Sequence, residues 1–338
     1  MTAPSIMAAP VSPAEAPAEP RRQTVRRRLA LLALVAVVLV LAYQFAFVGD
    51  ADAGYVMGLR LRQLGALVVV GAATGFATVL FQTIANSRIL TPGVMGFDAL
   101  FVFVQTIFVA VFGSAIVVDV DVRTRFLIDL VVMSAFGTVL FRWIFRRSSR
   151  DLFVLVLIGI VLGSLFTSLS LLSSRLLSPD DFLTLQDLTF ASFNTVDRHL
   201  LVLTAVITVA AISAGIPLLR RLDVVALGRD SAVTLGVDYH RVVTATLLVV
   251  TVLVAVSTAL VGPLTFVGLI VANLARRVLP TYRHSVLVTG AALWGIAFTV
   301  GGQFLVARVL DFSTTLTVCV NLVGGVYYVW LLLREATS

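Results

Sequence analysis

The chain has 338 residues, of which 59% are hydrophobic and 13% charged, and its mean hydropathy is +1.04. Because soluble domains carry about 25% charged residues, this composition excludes an ordinary soluble protein and predicts a membrane protein. All 25 basic residues are arginine, so the chain lacks the lysine that a Walker A loop needs to reach nucleotide phosphates. If ATP powers this protein, a different chain must bind it.

The N-terminal segment is rich in proline and then in arginine. Residues 1–20 hold five of the ten prolines and show no apolar periodicity, which is typical of disorder. We predict a disordered basic cytoplasmic tail over 1–28 and a membrane domain over 29–335. The alternative is a cleaved signal peptide, whose apolar core of about 7–15 residues is shorter than the run over 29–48. Five arginines precede that run: Arg21, Arg22, Arg26, Arg27 and Arg28.

Ten apolar stretches follow one another along the chain. Their length and their lack of period-two alternation favour transmembrane helices over a β-barrel. We therefore predict an all-α membrane protein with ten spans, of which the eighth is short and either tilted or partly re-entrant. The predicted spans are 29–48, 62–86, 93–113, 124–146, 152–173, 198–219, 241–261, 264–279, 285–308 and 315–334.

Arginine placement predicts the orientation. If the N-terminus is cytoplasmic, eighteen arginines lie in inner segments and seven in outer segments. Inner loops of membrane proteins carry such an excess of arginine. We expect a multi-pass protein of the bacterial plasma membrane with both termini in the cytoplasm.

Two helix breaks occupy corresponding places in spans 2–5 and 7–10. Pro92 and Gly96 lie before the third span, while Pro263 precedes the eighth and Gly268 interrupts it. The two four-span units face opposite ways, so we predict an inverted repeat, and transporters place their pathways beside such breaks. The alternative at Pro92 is a simple tight turn.

Three polar residues are candidates for lining a translocation path. Asp98 lies six residues after Pro92 inside an apolar run, where a carboxylate costs about 2.5–3.5 kcal/mol and should face protein or water. The alternative is a carboxylate that caps its own helix near the inner surface. Gln105 and Asn273 are the other candidates, and for Gln105 interhelical hydrogen bonding is the alternative.

A charged segment over 220–241 reads RRLDVVALGRDSAVTLGVDYHR. Asp223 and Asp230 are suited to begin two short helices that end at Gly228 and Gly236. We expect cytoplasmic docking helices at about 222–237; an ordinary loop is the alternative. On the opposite side, Arg60 and Arg62 are candidates for docking an acidic partner, with snorkelling arginines as the alternative.

Residue types required for bond chemistry are scarce. His199, His240 and His284 lie far apart in predicted loops, and Cys319 is single, so we expect no metal site, no cofactor and no enzyme activity. The excess of arginine does not indicate a nucleic-acid partner. An intramembrane enzyme would need clustered polar groups that the sequence lacks.

Four segments together resemble the FecCD-type permeases, which are the membrane subunits of ATP-binding cassette importers for iron–siderophore complexes and vitamin B12. The resemblance covers about residues 50–335. Its motifs are LRLRQLGALVVVGAATGFATVLFQ (59–82), RILTPGVMGFDAL (88–100), VALGRDSAVTLGV (225–237) and GPLTFVGLIVANLARRVL (262–279).

This resemblance implies a ten-helix subunit with three kinds of partner: a second permease, two ATP-binding cassette subunits and an extracytoplasmic siderophore-binding protein. Arg60 matches the first arginine of the family's L-R-x-P-R segment, whereas Arg62 replaces the proline and Gln63 the second arginine. The docking segment then corresponds to the helices that couple to the ATPase. The implied coupling residues are Asp223, Ala226, Leu227, Gly228, Arg229, Asp230, Ala232, Leu235 and Gly236.

Residues Ala272 and Asn273 stand where the family commonly has Pro-His, which resembles the ferric-siderophore subgroup and implies a heterodimer rather than a homodimer. We therefore expect an importer permease for ferric siderophores that works by alternating access. An importer of another metal chelate, cobalamin or haem is one alternative. An ion-driven secondary transporter that uses Asp98 and Asp129 is another.

Overall fold

The computed structural model describes residues 22–46, 53–147, 152–190, 192–194, 196–310 and 315–336. Within these ranges the chain is helical and contains no β-strand. Twelve α-helices and one 3₁₀ turn, Gly93–Met95, follow in chain order. The helices are α1 (Arg22–Phe45), α2 (Ala53–Ile84), α3 (Phe97–Asp119), α4 (Val122–Arg147), α5 (Leu152–Ser174), α6 (Pro179–Thr189), α7 (Arg198–Val225), α8 (Arg229–Thr234), α9 (Tyr239–Val261), α10 (Val267–Val278), α11 (His284–Arg308) and α12 (Leu316–Ala336).

Eight of these helices are long and apolar enough to cross a membrane: α1 to α5, α7, α9 and α11. The remaining two predicted spans correspond to α12, whose apolar part is Leu316–Trp330, and to α10. With 12 residues, α10 is about 18 Å long, roughly half the thickness of the hydrocarbon core. The all-α membrane fold is thus confirmed, and the eighth span is short, as its sequence indicates.

The predicted tail and the first helix overlap. Helix α1 begins at Arg22, so residues 22–28 form its first two turns instead of belonging to a disordered segment. Residues 1–21 lie outside the described residues. The guanidinium of Arg28 donates a hydrogen bond to the carbonyl of Val278 at 2.7 Å. This contact at the C-terminal end of α10 gives the basic end of α1 a favourable partner, because unpaired carbonyls there carry partial negative charge.

Helix α2 is the central element of the bundle. In its most apolar membrane-spanning stretch 72% of the residues are buried within the bundle, against 61% in α9 and 17% in α5.

Small residues explain how closely α2 approaches α11. A Cβ atom on Gly75 would lie 2.3 Å from the carbonyl oxygen of Ala291, and one on Gly295 would lie 2.0 Å from that of Gly71. The pairs run in opposite directions, so the two helices are antiparallel and their backbones nearly touch.

A hydroxyl strengthens this contact. Thr299 donates to the carbonyl oxygen of Leu67 across the interface at 2.9 Å, and its hydroxyl also lies 2.9 Å from the carbonyl of Gly295 in its own helix. Thr299 is fully buried. The contact between α2 and α11 therefore combines close backbone packing with a buried hydrogen bond.

Two glycines of α5, spaced four residues apart like Gly71 and Gly75 of α2, pack against the 3₁₀ turn. Gly159 and Gly163 on α5 face Met95 and Gly96, and a Cβ on Gly163 would lie 3.0 Å from the Cα of Gly96. Gly96 has φ +91°, which a residue with a side chain rarely adopts. The turn that starts α3 is thus seated against α5 by backbone atoms.

Helix α6 was not among the predicted elements. It lies in the predicted outer segment between the fifth and sixth spans, and its start has the ordinary signals: Ser178 caps it and Pro179 occupies its first turn. Asp181 also accepts a hydrogen bond from the backbone of Ser114 at 2.7 Å, next to the non-helical Gly113 inside α3. Hydrogen bonds from Ser114 and Ser178 lower the pKa of the Asp181 carboxyl to about 2.

The contact between α2 and α11 yields a prediction. Gly75→Val places side-chain atoms where the carbonyl of Ala291 lies, so we expect a loss of about 1–3 kcal/mol or more of stability, seen as a lower unfolding temperature of the purified protein in detergent. Gly58→Val is the matched control, because Gly58 lies in the same helix and has no atom within 4 Å of its Cβ position. Equal unfolding temperatures for the two variants would contradict the packing described here.

Candidate functional site

The two predicted helix breaks meet inside the bundle. The first consists of Pro92, the 3₁₀ turn and Gly96 before α3; the second is the segment 262–266 between α9 and α10. The hydroxyl of Thr265 in the second break donates to Asp98 Oδ2 in the first turn of α3, at 2.7 Å. Segments 167 residues apart in sequence are thereby joined. This is the arrangement that an inverted repeat leads one to expect, and the repeat itself stays a prediction.

Both breaks border one cavity, the junction cavity, of about 40 Å³. Its polar lining includes Asp98, Thr265, Thr91 and Ser257. The hydroxyls of Thr91 and Ser257 are buried and have no hydrogen-bond partner among the described residues. A polar cavity of this size is large enough for one or two water molecules, which would satisfy both hydroxyls.

An open depression lies on the other side of Asp98. It measures about 520 Å³ and is bounded by the first break, Thr265 and one face of α5; we call it the α5 depression. Hydroxyls of Ser164, Thr167 and Ser168 line its α5 wall. Asp98 forms no capping bond at the start of α3, where Gly96 is the cap residue. The structure thus places this carboxyl between the junction cavity and the α5 depression.

The other two path candidates lie elsewhere. Gln105 donates to Asp129 Oδ2 at 2.8 Å, and both side chains are buried between α3 and α4. They border a separate cavity of about 160 Å³. Asn273 donates to the carbonyl oxygens of Arg88 and Leu269, at 3.1 and 3.0 Å. Of the three candidates, only Asp98 lines the α5 depression.

The second break differs in detail from its prediction. Gly262, with φ +93°, ends α9, and Pro263 follows in the irregular segment. Gly268 was expected to interrupt the next span, yet α10 is continuous through it. Gly268 serves close packing instead, because a Cβ there would lie 2.1 Å from the hydroxyl oxygen of Thr78 on α2.

The predicted docking segment contains one short helix instead of two. Asp223 does not begin a helix, because α7 continues through it to Val225, and Ala226, Leu227 and Gly228 form the connection. Helix α8 follows, with Asp230 in its first turn and Gly236 just beyond its end. The glycines that flank it have positive φ: +99° at Gly228 and +79° at Gly236.

Helix α8 is held to the bundle by one small side chain. Ala232 is fully buried in the main core cluster. Leu227, Val233 and Leu235 are instead 64%, 55% and 63% exposed, and Arg229 is half-buried while Asp230 is exposed. The result is a small projection that presents large apolar side chains to the outside, which is typical of a protein-binding surface.

Asp223 has a different partner from the one expected. Its Oδ1 accepts hydrogen bonds from the backbone N–H of His284 at 2.8 Å and from the ring Nδ1 at 2.6 Å. The other ring nitrogen, Nε2, lies 2.8 Å from the hydroxyl of Thr83. This Asp223–His284–Thr83 clasp joins the last turn of α7, just before α8, to the first turn of α11 and the last turn of α2.

His284 was expected in a loop, but it is a buried residue in the first turn of α11. Nothing local in the sequence signals its pairing with Asp223, 61 positions away.

Arg60 and Arg62 differ in their surroundings. The guanidinium of Arg60 donates to the carbonyls of Gln44 and Ala46 at the end of α1, at 3.1 and 2.9 Å, whereas Arg62 is exposed. Gln63 is buried, accepts a hydrogen bond from Tyr43 at 2.8 Å and donates to Asn194 at 3.3 Å. The position at which the resemblance led us to expect a second arginine is therefore an internal polar contact in this chain.

Comparisons with known proteins agree with this architecture. A solved metal-chelate type ABC transporter in an inward-facing conformation superimposes with a TM-score of 0.79 over 92% of this chain and 99% of that one, at 20% identity. The petrobactin import system permease YclO of Bacillus subtilis is 43% identical over 92% of this chain and 98% of its own length. The petrobactin import system permease FatC of Bacillus anthracis is 32% identical over 82% and 78%. The model of the FecCD transport family matches residues 27–334, and the chain belongs to that family.

Proposed function

We propose that this chain is the transmembrane permease subunit of an ATP-driven importer for ferric siderophores. Family membership and the petrobactin import systems named for two relatives support this cargo class. The observation that carries the proposal is α8, a short projecting helix flanked by the exposed Leu227 and Leu235, on a chain that lacks a Walker A lysine. Such a chain needs a separate ATPase and offers a surface on which one can dock.

Two ATP-binding cassette subunits dock in the cytoplasm, one on each permease of a dimer. The face that carries α8 also carries the basic start of α1 and the end of α10, which Arg28 connects to each other. Arginine-rich ends of this kind lie on the cytoplasmic side of membrane proteins. Both chain termini then lie in the cytoplasm of a cell whose plasma membrane the protein spans.

The cargo passes along the α5 depression. This depression, with the first break and Asp98 in its wall, opens on the surface of the bundle, so a second permease completes the path. We expect this partner to be a related chain rather than a copy. Arg62 and the outer end of α2 receive the siderophore-binding protein, because an exposed cation there attracts carboxylates on a partner. Rocking of the helices exposes the path to each side in turn.

Movement of α8 reaches the core through the Asp223–His284–Thr83 clasp. The clasp touches α7 immediately before α8 and connects it to α2 and α11, whose backbones pack too closely to slide past each other. A push on α8 is thereby transmitted to the central helix pair. Ala232, the buried anchor of α8, provides the second connection.

The docking role predicts the effect of removing the exposed leucines. We expect Leu227→Ser combined with Leu235→Ser to reduce ATP-dependent siderophore uptake at least tenfold in vesicles that contain all subunits, because each leucine contributes about 1.5–3 kcal/mol when buried in an interface. The ATPase should also no longer copurify. Leu176→Ser is the matched control, since Leu176 is 83% exposed in the connection between α5 and α6. Wild-type uptake by the double variant would refute docking at α8.

The clasp predicts that removing the hydroxyl of Thr83 uncouples ATP hydrolysis from siderophore import. Thr83→Val keeps the shape of the side chain but removes the partner of His284 Nε2, leaving a buried polar atom unsatisfied at a cost of about 1–3 kcal/mol. We expect ATP hydrolysis to continue while the siderophore imported per ATP falls several-fold. Thr83→Ser retains the hydroxyl and should restore the wild-type ratio. A proportional fall in hydrolysis and uptake would instead indicate a purely structural role.

A further inference from the structure

A polar pocket opens on the face that carries α8 and does not belong to the path described above. It measures about 430 Å³ and lies where α2 and α10 end and α11 begins. We call it the basic pocket; its polar lining includes Thr83, Asn86, Ser87, Arg88, Arg276 and Tyr282. A water molecule takes up about 30 Å³ in the liquid, so this volume accepts a hydrated polyatomic ligand.

The basic pocket carries two positive charges without a carboxylate to balance them. Its lining contains Arg88 and Arg276 and neither Asp nor Glu. Among the described residues neither arginine forms an ion pair. Asp223, a nearby acid, is instead bound by the backbone and ring of His284. The ends of α2 and α10 contribute only about half a negative charge each, so the pocket remains positive overall.

Two buried amides bind the side chain of Arg276 and the backbone of Arg88. Gln82 accepts a hydrogen bond from the guanidinium of Arg276 and donates to the carbonyl of Arg88 at 2.9 Å. Asn273 donates to the same carbonyl at 3.1 Å. Gln82 and Asn273 are only 2% and 6% exposed. Asn273, which the sequence suggested as a path residue, binds the backbone carbonyl of Arg88 and does not line the α5 depression.

The donors around the pocket suit a tetrahedral anion. Each guanidinium offers several N–H groups in a planar fork that matches phosphate oxygens. Ser87 adds a hydroxyl and Asn86 a side-chain amide, whereas the hydroxyl of Thr83 is already engaged by His284 and Val79. Two arginines that line one pocket repel one another, and an anion between them removes that repulsion.

We propose that the basic pocket binds a phosphate group. Basic pockets between transmembrane helices on the cytoplasmic side accept the headgroups of anionic phospholipids, and inorganic phosphate offers the same oxygens from solution. This site does not depend on the proposed transport function, because it follows from the pocket's own charges and geometry.

The test compares the purified full chain with two variants. Arg88→Gln combined with Arg276→Gln removes both charges. Arg277→Gln is the matched control, since this neighbouring arginine stacks over Trp330, 4.7 Å from the ring centroid, and does not line the pocket. One arm counts phosphatidylglycerol and phosphatidylcholine molecules retained per chain by native mass spectrometry. The other measures the unfolding temperature over a titration with sodium phosphate, with sodium chloride at equal ionic strength as reference.

We expect wild type and Arg277→Gln to bind one anion per chain. The affinity of the double variant should be at least tenfold lower for each arginine lost, because each loss removes about one charge-assisted hydrogen bond. Selective retention of phosphatidylglycerol identifies a lipid headgroup as the source, and a phosphate-specific rise in unfolding temperature identifies the free ion. Equal binding by wild type and the double variant in both arms overturns the proposal. The proposal is also overturned if wild type binds neither probe and Arg88 and Arg276 resist chemical modification only when the ATPase is docked. The occupant of the pocket is then a carboxylate of the ATPase.

Discussion

The backbone contact between α2 and α11 is the constraint on which the other features depend. Gly71, Gly75, Ala291 and Gly295 leave no space for a side chain, so neither helix can slide or rotate independently. Helix α2 carries Arg60 near one end, Thr78 beside the junction cavity and Thr83 at the other end. The surroundings of Arg60, the wall of the junction cavity and the Asp223–His284–Thr83 clasp are therefore all attached to one helix.

The junction cavity explains how irregular backbone is tolerated inside a membrane. Carbonyl and N–H groups cannot remain unpaired in lipid, so non-helical segments must be enclosed by protein. Here the two breaks shield each other, and the hydrogen bond from Thr265 to Asp98 closes the contact. Because α10 starts inside the bundle, its far end, with Arg276, reaches the basic pocket.

The sequence predicted features that depend on local composition. Apolar runs located the spans, and proline with glycine located both breaks, because chain geometry at these residues is decided within a few positions. Partners distant in the chain were not predictable. Asp223 was interpreted as a helix start because Asp commonly occupies that position, yet α7 continues through it and the carboxylate binds His284. For Gln105 the sequence left interhelical hydrogen bonding open beside a path role, but its partner, Asp129 on the neighbouring helix, was not predictable.

Helix α8 is joined to the bundle by two glycines with positive φ and one buried methyl group, that of Ala232. Its remaining side chains are mostly outside the core, and the α5 depression is built from different helices. Under the proposed docking role, substitutions on this helix would alter the choice of ATPase subunit without changing which cargo is accepted. Such a division would let the ATPase and the cargo of related permeases diverge independently.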